Sequence, residues 1–256
     1  MIGIIILLFG LGCELLIGTS ILDAICIAIL AVLCVVNYIL GQKYAKKITP
    51  TMNFIISCSY LTNIASDLGD YDIGGMPKGT VPRIRVRKSI KKSWGIKNKR
   101  TFNETIQWLL EEGHNKDCLE EMEQYRDHIE ESSNPELFQK LLTAYPEKGI
   151  LAWDLCRLCN VAAWGTIAGY IKYKDGIALC VKAGKILQEN FDSWDDMIDN
   201  YLTGFWYWSG KKDEMTTRKK WYDNERKNEK TIVYKSDFKM NLDENDFIKQ
   251  RMSVFL

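Results

Sequence analysis

With 256 residues, 46% apolar and 26% charged side chains and a formal net charge of +1, the chain has room for one sizeable domain and a further segment. The near-neutral total hides a division: residues 1–42 carry only Glu14 and Asp23, whereas all 34 Lys and Arg lie from Lys43 onward. Of the eight cysteines, Cys13, Cys26 and Cys34 fall in the apolar segment and an odd five lie beyond it, which argues against a disulfide framework and for reduced, cytosolic thiols.

The apolar run from Ile2 to Leu40 is broken by Glu14 and by Gly18, Thr19, Ser20 and Asp23. As one helix it would reach roughly 60 Å, about twice the hydrocarbon thickness of a bilayer. Two passes fit, so the pattern predicts a transmembrane helical hairpin, Ile2 to Ile17 and Ile21 to Leu40. A signal peptide would need a basic n-region, which this start lacks. Lys43, Lys46 and Lys47 follow the second pass, and basic residues stay on the cytoplasmic side. The expected location is the bacterial cytoplasmic membrane, with the soluble part facing the cytoplasm and inner-membrane lipid as one partner.

Beyond the anchor (1–42) the expected divisions are a first helix and loop (43–82), a core helical domain (83–210) and a charged C-terminal tail (211–256). Phe54, Cys58, Leu61, Ala65 and Leu68 fall on one helical face, and the Gly- and Pro-rich stretch 69–82 reads as a loop. From Lys78 to Arg100 there are ten basic residues and no acid, while 101–131 holds ten acids against two bases. The preferred reading is a solvated basic helix paired with its acidic neighbour. Anionic lipid is the functional alternative. Nucleic acid is disfavoured, because Trp94 is the only aromatic available for stacking.

Thr101 with Glu104 has the spacing of a capping box, and Gly113 that of a helix stop. Cys118, Met122, Tyr125 and Ile129 predict the inner face of an acidic helix, and Asn134–Pro135 an N-cap with proline at the first helical position. Residues 149–170 are apolar almost all the way round, the signature of a central helix buried on every side. Ala178, Val181, Ile186, Leu187 and Phe191 mark a further helix, and Ser193 caps another that carries Trp194. In the tail, Trp221 is the expected apolar anchor and Thr231 to Tyr234 the one strand-like run. The fold class is therefore all-α: a compact multi-helix domain around one central buried helix, preceded by the hairpin.

Residues able to carry chemistry are few. There is no HExxH, GxxxxGKS or GxSxG, and Cys156 and Cys159 lack a second Cys or His pair. No metal or cofactor is expected, and packing is the reading for both thiols. His114 reads as a helix C-cap donor or a general base. Asp154 and Arg157, one turn apart in the central helix, read as a structural ion pair or as the floor of a pocket.

Trp94-Gly95-Ile96, Gly113-His114, Ala152-Trp153-Asp154 with Arg157, Trp164, Gly169-Tyr170, the Phe191, Ser193, Trp194 group, and Gly204 with Trp208 together form an ordered set. In this set the chain resembles the bacterial domain of unknown function 1266 family, over roughly 52–210. The resemblance implies a bacterial source and a helical domain; it carries no activity and no catalytic residues. Two functions stay open. One is a membrane-tethered module that binds a protein partner, its core built on Trp94, Trp153, Asp154, Arg157, Trp164 and Trp194. The other is an enzyme with a pocket beside the central helix, using Asp154 and His114 as acid and base, Arg157 as an anion clamp and Tyr170 in support.

Overall fold

The structure, a computed structural model, describes residues 27–32, 35, 49–68, 73–76 and 79–243. The chain divides into two units, 1–48 and 49–256. In the first, residues 27–32 and 35 are helical; the rest of the expected hairpin lies outside the described residues. Among the described residues no helix is long and apolar enough to cross a membrane.

Among the described residues of the second unit, all regular structure is helical. Its helices are α1 (Pro50–Ala65), α2 (Thr80–Trp94), α3 (Lys99–Glu111), α4 (Gly113–Gln124), α5 (Pro135–Ala144), α6 (Leu151–Ala168), α7 (Tyr173–Asn190), α8 (Trp194–Ser209) and α9 (Lys212–Lys227), with a short 3-10 turn at Ile129–Glu131. Every residue of α6 after Leu151 is buried, as a helix apolar on all sides requires. Helices α1, α2, α3, α4, α7 and α8 pack around it, and α7 packs most extensively. Close approach explains that contact: a Cβ on Gly176 of α7 would sit 2.3 Å from Thr166 Cγ2.

A buried helix must still satisfy the N–H groups of its first turn. Ile150, at the N-cap of α6, offers no side-chain cap, and asparagines from other helices do the work. Asn115 Oδ1 in α4 accepts the Ile150 N–H (2.5 Å), and Asn200 Oδ1 in α8 accepts the Ala152 N–H (2.9 Å). Asn200 Nδ2 then donates to the Gly149 carbonyl (2.8 Å). The position of α6 is thus fixed by tertiary hydrogen bonds at its N-terminal end.

The caps at Asn134 and Ser193 form as expected, each accepting the N–H three residues on. Elsewhere the boundaries differ from the sequence reading. Helix α2 starts at Thr80, because Pro82 falls in a first turn, where a missing N–H costs no hydrogen bond. Asn98, not Thr101, caps α3; Thr101 is the third helical residue and closes the capping box back onto Asn98. Gly113 does not end the chain's helical run. It has φ +59° and redirects it, so that α4 starts at once and His114 lies in its first turn and caps nothing. Helix α4 ends at Gln124, which leaves Ile129 in the 3-10 turn.

The largest correction concerns the tail. Residues 231–234 are irregular, with a turn at Val233 and Tyr234, no strand occurs among the described residues, and Trp221 is only half-buried. Tyr222, Val233, Tyr234, Phe238 and Leu242 are the buried anchors. Tyr234 packs edge-on against Trp194 (5.3 Å) and Tyr222 (4.9 Å), and its N–H donates to Ser57 Oγ (2.9 Å). Trp194 Nε1 donates to the Ser236 carbonyl (2.9 Å), and Gln188 Nε2 to the carbonyls of Phe238 and Met240. The segment after α9 therefore closes the core over α1, α7 and α8.

Candidate functional site

Beside α6 lies a cavity of about 600 Å³. Its floor is Trp153, Arg157, Asn160 and Trp164 on α6, residues brought to one side by spacings of three and four. Helix α2 supplies Arg85, Val86, Ser89, Ile90, Ser93 and Trp94 as one wall. Tyr201, Phe205 and Trp208 on α8, Arg218 on α9, Trp108 on α3 and His114 on α4 complete the ring, with Thr62 and Ser66 from the end of α1.

The charges are one-sided. Among the described residues three arginines and a histidine line the cavity, and no carboxylate does. Arg157 is the innermost cation, 7% exposed. Its guanidinium carbon stands 4.6 Å from the Trp153 ring centre and 5.2 Å from that of Trp94, held between two indoles by cation–π attraction. Its Nη2 pairs with Asp154 Oδ1, while its Nε has no partner. The indole N–H groups of Trp153 and Trp164 are likewise buried without an acceptor. Arg218 lies 4.0 Å over Phe205 and reaches the Leu61 carbonyl (3.4 Å).

Asp154 is 1% exposed and turned away from the cavity. Its Oδ2 accepts the Asn115 N–H (2.7 Å), while Oδ1 takes Arg157. Burial raises its carboxyl above the ordinary range; the Arg157 charge and these hydrogen bonds oppose that. The site requires Gly113, since a Cβ there would come within 2.1 Å of Asp154 Oδ2.

His114 packs edge-on against Trp108 (5.1 Å). Burial, and then the Arg157 charge, lower its pKa from the ordinary value, while Asp154 and Asp117 oppose. It is therefore neutral at pH 7 and able to accept a proton or a hydrogen bond.

The four residues proposed for acid–base chemistry do not converge. His114 and Arg157 line the cavity, and Asp154 supports Arg157 from behind. Tyr170 stands outside it, donating to the Lys97 carbonyl (3.1 Å) beside Arg87. Of the six core residues, Trp94, Trp153, Arg157 and Trp164 line the cavity, while Trp194 belongs to the cluster under the tail. Arg85, Asn160 and Arg218 were not legible as site residues. Arg218 lay in what reads as a detached charged tail, and Asn160 was one polar position in an apolar run.

Cys156 Sγ meets Met197 Sδ (3.6 Å), whereas Cys159 Sγ faces the Cys180 carbonyl (4.0 Å). The two thiols thus serve different contacts, as packing residues do. Among the described residues no group of His, Cys, Asp or Glu is arranged to hold a metal ion.

Comparison with known families agrees with the ordered set of tryptophans and glycines. The family model described as "Protein of unknown function (DUF1266)" matches residues 89–238. The chain belongs to this family. The match begins inside α2 and runs through Phe238, so it takes in the tail segment that the resemblance over 52–210 left out. No curated protein and no solved structure matches the chain. In this DUF1266 domain, 89–238 covers all four helices from α6 to α9 and most of the cavity lining.

Proposed function

We propose that the DUF1266 domain is a binding module for a small anionic ligand with a flat, apolar body. One observation carries this reading: among the described residues that line the cavity, four buried polar atoms lack a partner, and three of them, Arg157 Nε and the indole N–H groups of Trp153 and Trp164, are donors, against the single acceptor Asn160 Oδ1. Donors without acceptors are costly inside a protein, and an anion would satisfy them. Arg85, Arg157 and Arg218 would balance its charge, and the indole faces would take its apolar part. The binding role expected from the sequence thereby passes from a protein partner to a small molecule.

Calorimetric titration with 2-naphthalenesulfonate, and with the naphthyl trimethylammonium cation of similar size, tests the reading. The sulfonate should bind and the cation should not. Arg218→Gln should weaken the sulfonate about tenfold, the equivalent of losing one charge-assisted hydrogen bond. Equal binding of both probes, or of neither, sinks the proposal.

We further propose that residues 2–40 tether the domain to the cytoplasmic face of the bacterial inner membrane. The support is the apolar run itself, the lysines that follow it, and the exposure of Ile29, Leu30, Val32 and Val35, each 46% or more open. A membrane-impermeant thiol reagent on intact cells should label Thr19→Cys but not Lys211→Cys. Labelling at Lys211 would reverse the orientation.

A further inference from the structure

Helix α2 has two faces. The inner one walls the cavity through Val86, Ser89, Ile90 and Ser93, and only Val86 and Ile90 in the whole helix are buried. On the outer one, Val81, Ile84, Lys88, Lys91 and Lys92 fall at spacings that bring them onto a single stripe. All five are exposed.

The acidic segment 101–131 does not neutralise this stripe. Among the described residues Lys88, Lys91 and Lys92 have no acidic partner; of the neighbouring acids, Glu104, Glu112 and Glu123 pair with Arg100, Lys116 and Arg126. Among the described residues the expected ion pairing of the basic run with its neighbour is thus confined to Arg100 and Glu104, at the junction of the two stretches. The arginines of α2 are used differently. Arg87 Nε donates to the Ala168 carbonyl (2.8 Å) at the C-terminal end of α6, and the Arg83 guanidinium lies over Gly169, where a Cβ would be 3.5 Å away. These two cations meet the negative end of the α6 dipole and hold α2 to the core. The lysines are left facing solvent.

Two large aliphatic side chains share that face. Among the described residues of the second unit, the exposed large apolar residues are Val81 (76%), Ile84 (64%), Trp208 (55%) and Ile232 (36%). The two most exposed thus sit together on α2, flanked by three uncompensated lysines. An aliphatic pair with a lysine rim, on a helix without an acid, is complementary to a surface that is apolar beneath and anionic above. We infer that the outer face of α2 docks on an anionic lipid bilayer, with Val81 and Ile84 entering the acyl boundary and Lys88, Lys91 and Lys92 among the headgroups. This docking surface is separate from the cavity and does not depend on its ligand.

The test uses the full chain in nanodiscs of phosphatidylcholine, with or without phosphatidylglycerol. An environment-sensitive NBD fluorophore is placed on Ile84→Cys. Cys13, Cys26 and Cys34 are replaced by alanine, and the five other thiols are buried. The NBD emission should shift to the blue in the anionic discs and stay unshifted in the zwitterionic ones. Rising salt should reverse the shift, because exposed charges are screened within about 10 Å at 0.1 M. Lys88→Gln, Lys91→Gln and Lys92→Gln should each weaken docking about fivefold, as expected for one headgroup-level charge. All three sit exposed, so the variants should melt with the parent. Unshifted emission in both discs overturns the proposal and leaves the face to a protein partner. An equal shift from a control label on exposed Gln139→Cys also overturns it, since that would be unspecific adhesion.

Discussion

Arg157 and Asp154 divide one ion pair between two environments: the guanidinium lines the cavity between Trp94 and Trp153, while the carboxylate is sealed behind it against the Asn115 N–H. The pair is buried on both sides, so removing either partner leaves a desolvated charge.

Arg157→Gln should therefore cost about 3–5 kcal/mol of folding stability, measured by urea denaturation at pH 7. Asp154→Asn should cost less, because the orphaned guanidinium still faces the cavity and can take water there. The deficit of Arg157→Gln should shrink as the pH is lowered toward 5. Burial already raises the Asp154 carboxyl, and without Arg157 it rises further, so the folded variant binds a proton that the unfolded chain does not. A deficit independent of pH would mean that Asp154 is not the stranded charge.

Gly113 makes a second, sharper prediction. Gly113→Ala adds a methyl 2.1 Å from Asp154 Oδ2 at φ +59°, and should cost several times more than Gly95→Ala or Gly210→Ala. Those two positions share the left-handed backbone but have nothing within 4 Å, so only the conformational penalty of about 1–2 kcal/mol applies. Equal melting points for the three variants would contradict the geometry.

His114 should couple pH to both stability and binding, in opposite directions. Its folded pKa is lowered, chiefly by burial and then by Arg157, so between that value and 6.5 the unfolded chain holds more protons. Its contribution is complete above about 6.5 and is lost as the pH falls through the lowered pKa. His114→Gln should flatten the stability profile between pH 7 and 5. Over the same interval the parent should bind the sulfonate more tightly, because a protonated His114 adds a cation to the cavity.

The tail predicts a cooperative loss. Tyr234→Ala removes a fully buried ring that touches Trp194 and Tyr222, at a cost of about 3–5 kcal/mol by analogy with other buried aromatics. A chain ended after Gly210 should fail to fold, since it uncovers Phe54 and Trp194. A stable truncated core would show the tail to be dispensable.

What could be read from the residues depended on how local the signal was. The central helix, the Asn134 and Ser193 caps and the all-α class were legible because each is written in a short run of sequence. The ion pair was legible as a pair, since residues 154 and 157 lie one turn apart. The cavity was not: it needs Arg85, Asn160 and Arg218 from three helices, and sequence spacing says nothing of such convergence. The tail misled because its charged residues dominate its composition while five apolar side chains, scattered from 222 to 242, do the packing. Gly113 misled because a left-handed glycine can end a helix or bend the chain into the next one.

Five of the eight tryptophans surround the cavity, and this arrangement makes the domain its own optical sensor. Trp94, Trp108, Trp153, Trp164 and Trp208 all border the space an occupant would fill, and two of them already clasp a guanidinium. Near-ultraviolet emission therefore arises mainly from the cavity wall, over a steady background from Trp194, Trp206 and Trp221. An acceptor arriving at the free indole N–H groups changes the polarity felt by several emitters at once, so loading of the domain can be followed without any label.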